Sequence, residues 1–247
     1  MSFTDRFSQR AGDYVAGRPS YPEAILGVLF DGLGDPADVL VVDLGAGTGI
    51  SSRLLAEHGA RVLAVEPNRA MREAAQPHPR VAWVSGTAES TGLEEASADL
   101  VTAFQAFHWF DHHKALTEMV RILRPGGRAA VVYNERDESD PFTAAYGDLV
   151  RKYKTDETER HRAEGLAAFS GFDGWVATRR REARNDHRLD LDGVVARARS
   201  TSYLPKDGPM AHDMEAEIRA LVAQHASNGS VVMVMRTIVV ASDVGAG

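Results

Sequence analysis

Short apolar runs, separated by segments of helical period, dominate the first 135 positions of this chain. Residues 39–43 (VLVVD), 61–65 (RVLAV), 81–84 (VAWV), 98–104 (ADLVTAF) and 128–133 (RAAVVY) are strand-length and rich in apolar, often β-branched side chains. They do not alternate with polar residues, which is the pattern of strands buried on both faces of a sheet. A helix follows the first run to about residue 58, and Asn68 is placed to cap another running to 76. A third spans about 112–123 and is stopped by Arg124-Pro125-Gly126-Gly127. Strand and helix in alternation predict an α/β, Rossmann-like fold with a mostly parallel sheet.

The flanks read differently. Ser20-Tyr21-Pro22-Glu23 has the spacing of a capping box, which predicts a helix over 21–33. Residues 1–19 lie before the array and are a candidate lid. After Asn134, residues 141–154 read as a helix. The span 155–200 is polar and Arg-rich and shows no clear period. A helix near 214–225 then precedes a last strand at 231–241.

Composition narrows the class. With 247 residues, 44% hydrophobic and 26% charged, the chain suits one large globular domain rather than a disordered or fibrous one. A net charge of −7 argues against a surface built to neutralise a phosphate backbone, so no nucleic-acid partner is expected. The absence of cysteine excludes disulfides, thiolate metal sites and thiol nucleophiles. The polar start is no signal peptide, and no apolar stretch is long enough to span a bilayer. These features predict a soluble, cytoplasmic protein that does not engage membranes.

The chemistry concentrates in Asp43-Leu44-Gly45-Ala46-Gly47-Thr48-Gly49, a turn that follows a strand and opens a helix. Glycines permit positive φ there and let a ligand approach the backbone without a Cβ in the way. A nucleotide site at the carboxyl edge of the first strand is one reading, and a tight turn without a ligand is the other. A dinucleotide fingerprint starting at Gly45 requires glycine at position 50, where Ile50 stands, and the phosphate-cradling Gly-Lys-Ser/Thr motif is absent. Asp43 would oppose a pyrophosphate but suits a ligand bearing an ammonium group. Glu66, ending the second strand, can accept from both ribose hydroxyls; alternatively it is an exposed acid favouring the helix that follows.

At these residues the chain resembles the class I S-adenosylmethionine (SAM)-dependent methyltransferases, and within them the small-molecule group related to trans-aconitate methyltransferases. The supporting segments are FSQRAGDYVAGRPSYP (7–22), VVDLGAGTG (41–49), AVEPNRAM (64–71), GTAE (86–89), QAFHWFD (105–111) and RILRPGG (121–127). The resemblance implies a seven-stranded sheet with an antiparallel last strand. It divides one domain into a lid and helix (1–34), a SAM-binding core (35–134) and a substrate-cap region with the final strands (135–247). It also implies SAM as cofactor and S-adenosylhomocysteine as product. Asp43 would sit near the methionine amino group, with Gly45, Ala46 and Gly47 beside the methionyl and ribosyl parts. Glu66 would hold the ribose, Pro67, Asn68 and Met71 would border the adenine, and Thr87, Ala88 and Glu89 would line its edge. Thr87 stands where many relatives carry Asp, so a backbone group or Glu89 would read the exocyclic amine. Gln105 would face the sulfonium side, and Tyr14 and Arg18 would meet the methionine carboxylate or an acidic substrate.

Methyl transfer is an in-line displacement from an already activated donor, so orientation supplies most of the acceleration. Carboxylate acceptors need no base, whereas phenols and enols benefit from one. His108, after the fourth strand, is the candidate base, or else a histidine packed among Phe107, Trp109 and Phe110. Tyr21, His108, Trp109, Tyr133, Asn134, Arg199 and Tyr203 are the candidate acceptor-side residues. His112 and His113 diverge by about 100° on a helix and suit an N-terminus rather than a metal, so no metal is expected. The missing cysteine excludes covalent pyrimidine C5 methylation. The post-strand turn Gln105-Ala106-Phe107-His108 also lacks the Pro-Pro-aromatic signature seen in enzymes that methylate exocyclic amines of nucleic acids. The expected function is methyl transfer to a small molecule, most simply at a carboxylate or hydroxyl oxygen. A non-catalytic SAM-binding protein and an NAD(P)-dependent oxidoreductase are the alternatives.

Overall fold

The computed structural model describes residues 20–155, 158–201 and 203–245, without the side chains of 158–160. Seven strands among them form one sheet: β1 (Leu40–Leu44), β2 (Arg61–Val65), β3 (Val81–Val84), β4 (Ala98–Phe104), β5 (Leu123–Arg136), β6 (Ala177–Leu189) and β7 (Val231–Asp243). Their order is β3-β2-β1-β4-β5-β7-β6. Neighbours from β3 to β5 are parallel, and β7 runs antiparallel to both β5 and β6. This is the expected Rossmann-like architecture with its antiparallel last strand. The order reverses between β1 and β4, which opens a crevice at their carboxyl ends.

Residue parity on the strands decides what each face carries. Val42 and Leu44 of β1, Val101 and Ala103 of β4 and Val131 and Tyr133 of β5 join a core with Ala115, Leu116 and Met119. Those three belong to α4 (His112–Ile122). The opposite parity, with Val41, Leu100 and Val132, packs against Ile25 and Leu29 of α1 (Ala24–Phe30) and Leu55 of α2 (Ile50–Glu57). Each fully buried Leu or Ile contributes about 1.5–3 kcal/mol, so apolar side chains of both parities are what secure the central strands. A third cluster joins β7 to α5 (Pro141–Tyr153), α7 (Leu191–Ser200) and α8 (Gly208–His225).

Several element boundaries differ from the sequence reading. The capping box at Ser20 does not form: helix α1 starts at Ala24, and Glu23 is already in helical conformation without a side-chain cap. The Ser20 carbonyl instead accepts from Asn185 Nδ2 at 2.9 Å, so this residue ties the chain to β6. Helix α3 (Arg69–Glu73) is capped by Asn68 as expected but ends three residues short of 76. Helix α8 begins at Gly208, six residues before 214, with proline in its first turn. The unparsed span contains α6 (Thr158–Ser170), β6 and α7. Arg128 fastens the far end of the sheet. Its Nε donates to Asp243 at 2.7 Å and its Nη1 to the carbonyls of Val28 and Leu29.

Candidate functional site

The glycine turn sits at the crevice and has positive φ at Gly45 (+65°), Gly47 (+57°) and Gly49 (+78°). The amides of Gly45 and Ala46 both donate to the Val65 carbonyl, at 2.9 and 3.1 Å, which ties the turn to β2. A Cβ at Gly45 would stand 2.8 Å from the Ala106 Cβ and 3.1 Å from the Phe110 ring. Glycine is therefore required there both by φ and by the approach of the loop after β4.

Asp43 shares the face of Val41, not that of Leu44, and points beneath the turn. Its carboxylate is fully buried. Oδ2 accepts from Ser51 and Ser52 at 2.7 Å each, and Oδ1 accepts from Thr102 at 2.9 Å. Burial raises its pKa and the three hydroxyls act against that rise. Asp43 lines neither cavity of the crevice. The expectation that it faces an ammonium group is thus replaced: its parity turns it to the first turn of α2, where it fastens helix to strand.

Glu66 does reach the crevice. It is 8% exposed, and its two oxygens accept from the amides of Gly47 (2.9 Å) and Asn68 (2.8 Å). Each oxygen keeps lone-pair capacity for a further donor. Burial raises its pKa, while those two amides and Arg72 lower it. Glu66, Pro67, Asn68 and Met71 form one wall of a cavity of about 210 Å³. Thr87, Ala88 and Glu89 form another, with Trp109 and Phe110 closing it. Glu89 Oε1 accepts from the Asp111 amide at 2.9 Å, which links this wall to the start of α4. Among the described residues, no Lys, Arg or His lines the cavity, and Glu66 and Glu89 are its charged wall residues.

A second cavity of about 420 Å³ adjoins the first, and Gly45, Phe104 and Gln105 belong to the walls of both. Gln105 holds an uncommon backbone for a non-glycine residue (φ +54°), and its Nε2 donates to the Asn134 carbonyl at 3.1 Å. Of the expected acceptor-side residues, Tyr21, Asn134 and Tyr203 line this larger cavity. Trp109 belongs to the smaller one instead. Arg199 lies outside both: it is exposed and paired with Glu215 at 2.6 Å, because its turn of α7 faces α8 there. Two residues earlier, Arg197 does line the larger cavity, as do Arg136 and Arg162.

Tyr133 and His108 form a buried pair behind the walls. Tyr133 is fully buried, and its hydroxyl oxygen accepts from the His108 amide at 3.0 Å. Burial raises its pKa well above that of a free phenol. The His108 ring packs 4.5 Å from Trp109 and 5.7 Å from Tyr133, centroid to centroid, and lines neither cavity. His112 stacks on Phe107, and Asp111 caps α4, as the sequence suggested. Tyr14 and Arg18 lie outside the described residues. Among the described residues, no group of three or more His, Asp and Glu could hold a metal ion, and no helix is long and apolar enough to cross a membrane.

Residues 42–131 match a family model described as a methyltransferase domain. An uncharacterized methyltransferase of Mycobacterium bovis is 41% identical over 146 residues, covering 58% of each chain. A methyltransferase-like protein of Schizosaccharomyces pombe is 33% identical over 152 residues, covering 61% of this chain and 59% of its own. The match thus spans under two thirds of the length of these curated relatives. A solved structure from Anaeromyxobacter dehalogenans, assigned as a type II methyltransferase, is 29% identical at a TM-score of 0.67, covering 93% of this chain and 97% of that one. A phosphoethanolamine N-methyltransferase of Haemonchus contortus, bound to S-adenosylhomocysteine, shares the fold at a TM-score of 0.56 and 17% identity. It covers 99% of this chain and 60% of that one.

Proposed function

We propose that this chain is a class I SAM-dependent methyltransferase and that it transfers the SAM methyl group to an oxygen of a small-molecule acceptor, a reading supported by its likeness to a methyltransferase domain over residues 42–131 and to methyltransferase relatives. The observation that carries the cofactor reading is the charge of the smaller cavity. Among the described residues, its charged wall residues are two carboxylates and no cation. A dinucleotide would bring a pyrophosphate against those acids with no cation among the described wall residues to neutralise it, whereas a nucleoside with a sulfonium arm carries no phosphate. The cavity's donors and acceptors suit that nucleoside. Glu66 has capacity for the ribose hydroxyls, and Thr87, Ala88 and Glu89 offer an edge to the adenine. When bound, SAM supplies a methyl group on a positively charged leaving group.

The chain's own task is alignment. Gly45, Phe104 and Gln105 border both cavities, so an acceptor in the larger one and a donor in the smaller one meet at this shared wall. Holding the two in line is the chief source of acceleration for such a displacement. The side chain of His108 lies off both walls, which favours an acceptor that needs no base, such as a carboxylate, over a neutral hydroxyl. His108 then serves by packing against Trp109 and through its amide bond to Tyr133. Small size of the acceptor is supported by the enclosure of the larger cavity between β5, α6 and α7.

Calorimetric titration tests the cofactor reading, and labelled SAM tests transfer. S-adenosylhomocysteine is expected to bind with a dissociation constant below about 1 mM, corresponding to more than about 4 kcal/mol, with NAD not binding. Binding of NAD alone would overturn the reading. Transfer of label to small carboxylic acids distinguishes the enzyme from a non-catalytic SAM-binding protein.

A further inference from the structure

The described lining of the larger cavity carries an excess of positive charge in a protein whose net charge is −7. Among the described residues, four guanidinium groups, Arg136, Arg162, Arg180 and Arg197, line it against two carboxylates, Glu135 and Glu138. Some of that charge is internally matched. Arg180 pairs with Glu182 at 2.8 Å, and Glu138 is held by Arg151 at 2.7 Å and Arg136 at 3.6 Å. Arg197 lays its Nη2 against the Met235 sulfur at 3.7 Å.

Arg162, on α6, is different. It is half-buried, and no carboxylate among the described side chains lies within 4 Å of it. Its Nη2 donates to the Tyr203 hydroxyl oxygen at 3.4 Å, and its Nε is buried without an acceptor among the described residues. Tyr203 is 5% exposed and lines the same cavity, and its hydroxyl hydrogen has no acceptor among the described residues. A guanidinium and a phenol O–H, adjacent on one wall, thus have donors to spare among the described residues.

We infer that Arg162 and Tyr203 hold an anionic group of the methyl acceptor, a carboxylate or a phosphate monoester, away from the atom that receives the methyl group. The inference rests on the methyl-transfer reading and names the substrate class that reading leaves open. A planar guanidinium fork matches an oxyanion with two parallel N–H donors, and the phenol adds a third. Desolvation inside the cavity strengthens these bonds relative to the same groups in water. Glu135, on the same wall, disfavours a second anionic group beside it. That orders an acceptor with its charge at α6 and its reacting end toward Gln105.

The test uses the full chain saturated with S-adenosylhomocysteine, so that the cofactor's own carboxylate is already accommodated. Benzoate and phenyl phosphate are the charged probes, and benzamide and phenol their uncharged counterparts, followed by calorimetry and ligand-observed NMR. At least one anion is expected to bind about 10-fold or more tightly than its counterpart, and preference for benzoate or phenyl phosphate tells carboxylate from phosphate. Arg162→Gln should remove that advantage, Tyr203→Phe should reduce it several-fold, and Arg162→Lys should retain part of it. The affinity for S-adenosylhomocysteine should stay within about twofold in all three variants, which also reports that they fold. Equal binding of charged and uncharged probes, or an anion advantage that survives Arg162→Gln, would overturn the inference. So would a loss of S-adenosylhomocysteine affinity in Arg162→Gln, which would assign the guanidinium to the cofactor. Failure of the wild-type chain to bind S-adenosylhomocysteine would instead sink the methyl-transfer reading.

Discussion

Two buried carboxylates, Asp43 and Glu66, do different work although the register of β1 and β2 gives them the same parity: Asp43 lies within β1, beneath α2, whereas Glu66 follows the last residue of β2. Asp43 points down to three hydroxyl donors, while Glu66 points into the crevice. Replacing Asp43 by alanine strands Ser51, Ser52 and Thr102 without their acceptor. At about 1–3 kcal/mol for each buried group left unsatisfied, partly offset by water or rotation, Asp43→Ala is expected to lose about 2–4 kcal/mol of stability. Chemical denaturation checks this; an unchanged midpoint would mean that the carboxylate does not fasten α2. Position alone made both acids legible as site residues. Which way Asp43 points was not legible, because β1 is apolar on both faces and gives no in–out alternation. Glu118 supplies a pH signature. Hydrogen bonds from Arg121, then those from Thr91, hold its pKa at about 2, against an ordinary 4.5. A depressed pKa stabilises the fold fully above about 4.5, and that contribution is lost as pH falls through about 2. The stability gap between wild type and Glu118→Gln should therefore be widest near neutral pH and close on acidification; a pH-independent gap would contradict this.

At the scale of elements, the turn between β1 and α2 makes a graded prediction. Alanine at Gly45 meets both a positive φ and a 2.8 Å clash with Ala106, whereas at Gly47 it meets the positive φ and a tolerable 3.4 Å contact with Met71. Gly45→Ala is expected to cost about 2–3 kcal/mol and Gly47→Ala about 1, read as shifts in thermal midpoint. The reverse order would mean that the loop after β4 is free to yield. Strands β1, β2, β4 and β5 were visible in the sequence because their central residues are buried on both faces and are mostly apolar, and the half-exposed edge strand β3 because its Val81, Trp83 and Val84 favour a strand. Strand β6 was not. Its sequence, ATRRREARNDHRL, carries one β-branched residue and seven charged residues besides His187, and it is a strand because β7 pairs with it along its full length. A charged edge strand also resists pairing with another sheet, so the same residues that hid it from a hydrophobic pattern protect the edge. The arginines of the larger cavity were equally hidden. Arg136, Arg162 and Arg197 come from three elements separated by up to 61 positions in the numbering, and only the fold brings them to one wall.

Over the whole molecule, the most constrained strand is β7. It pairs antiparallel with β5 from Arg128↔Asp243 to Arg136↔Met235 and with β6 from Ala177↔Asp243 to Leu189↔Val231. It also joins the apolar clusters on both faces and the third cluster with α5, α7 and α8. Ending the chain at Ser230 is expected to remove more than a peripheral element: β5 and β6 would both lose their partner. Such a chain should show no cooperative thermal transition, and a retained transition at the wild-type midpoint would refute the central role of β7. The placement bears on how the protein is made. Arg128 and Asp243, which bridge the two strands, lie 115 positions apart. At roughly 5–20 residues per second, a nascent chain presents the open flank of β5 for about ten seconds before its neighbour exists. Folding can nucleate early on β1, β2 and β4. The last cooperative step of this sheet waits for β7 to insert between two strands that preceded it, a high-contact-order event that makes the emerging chain a client for chaperones until β7 has been made.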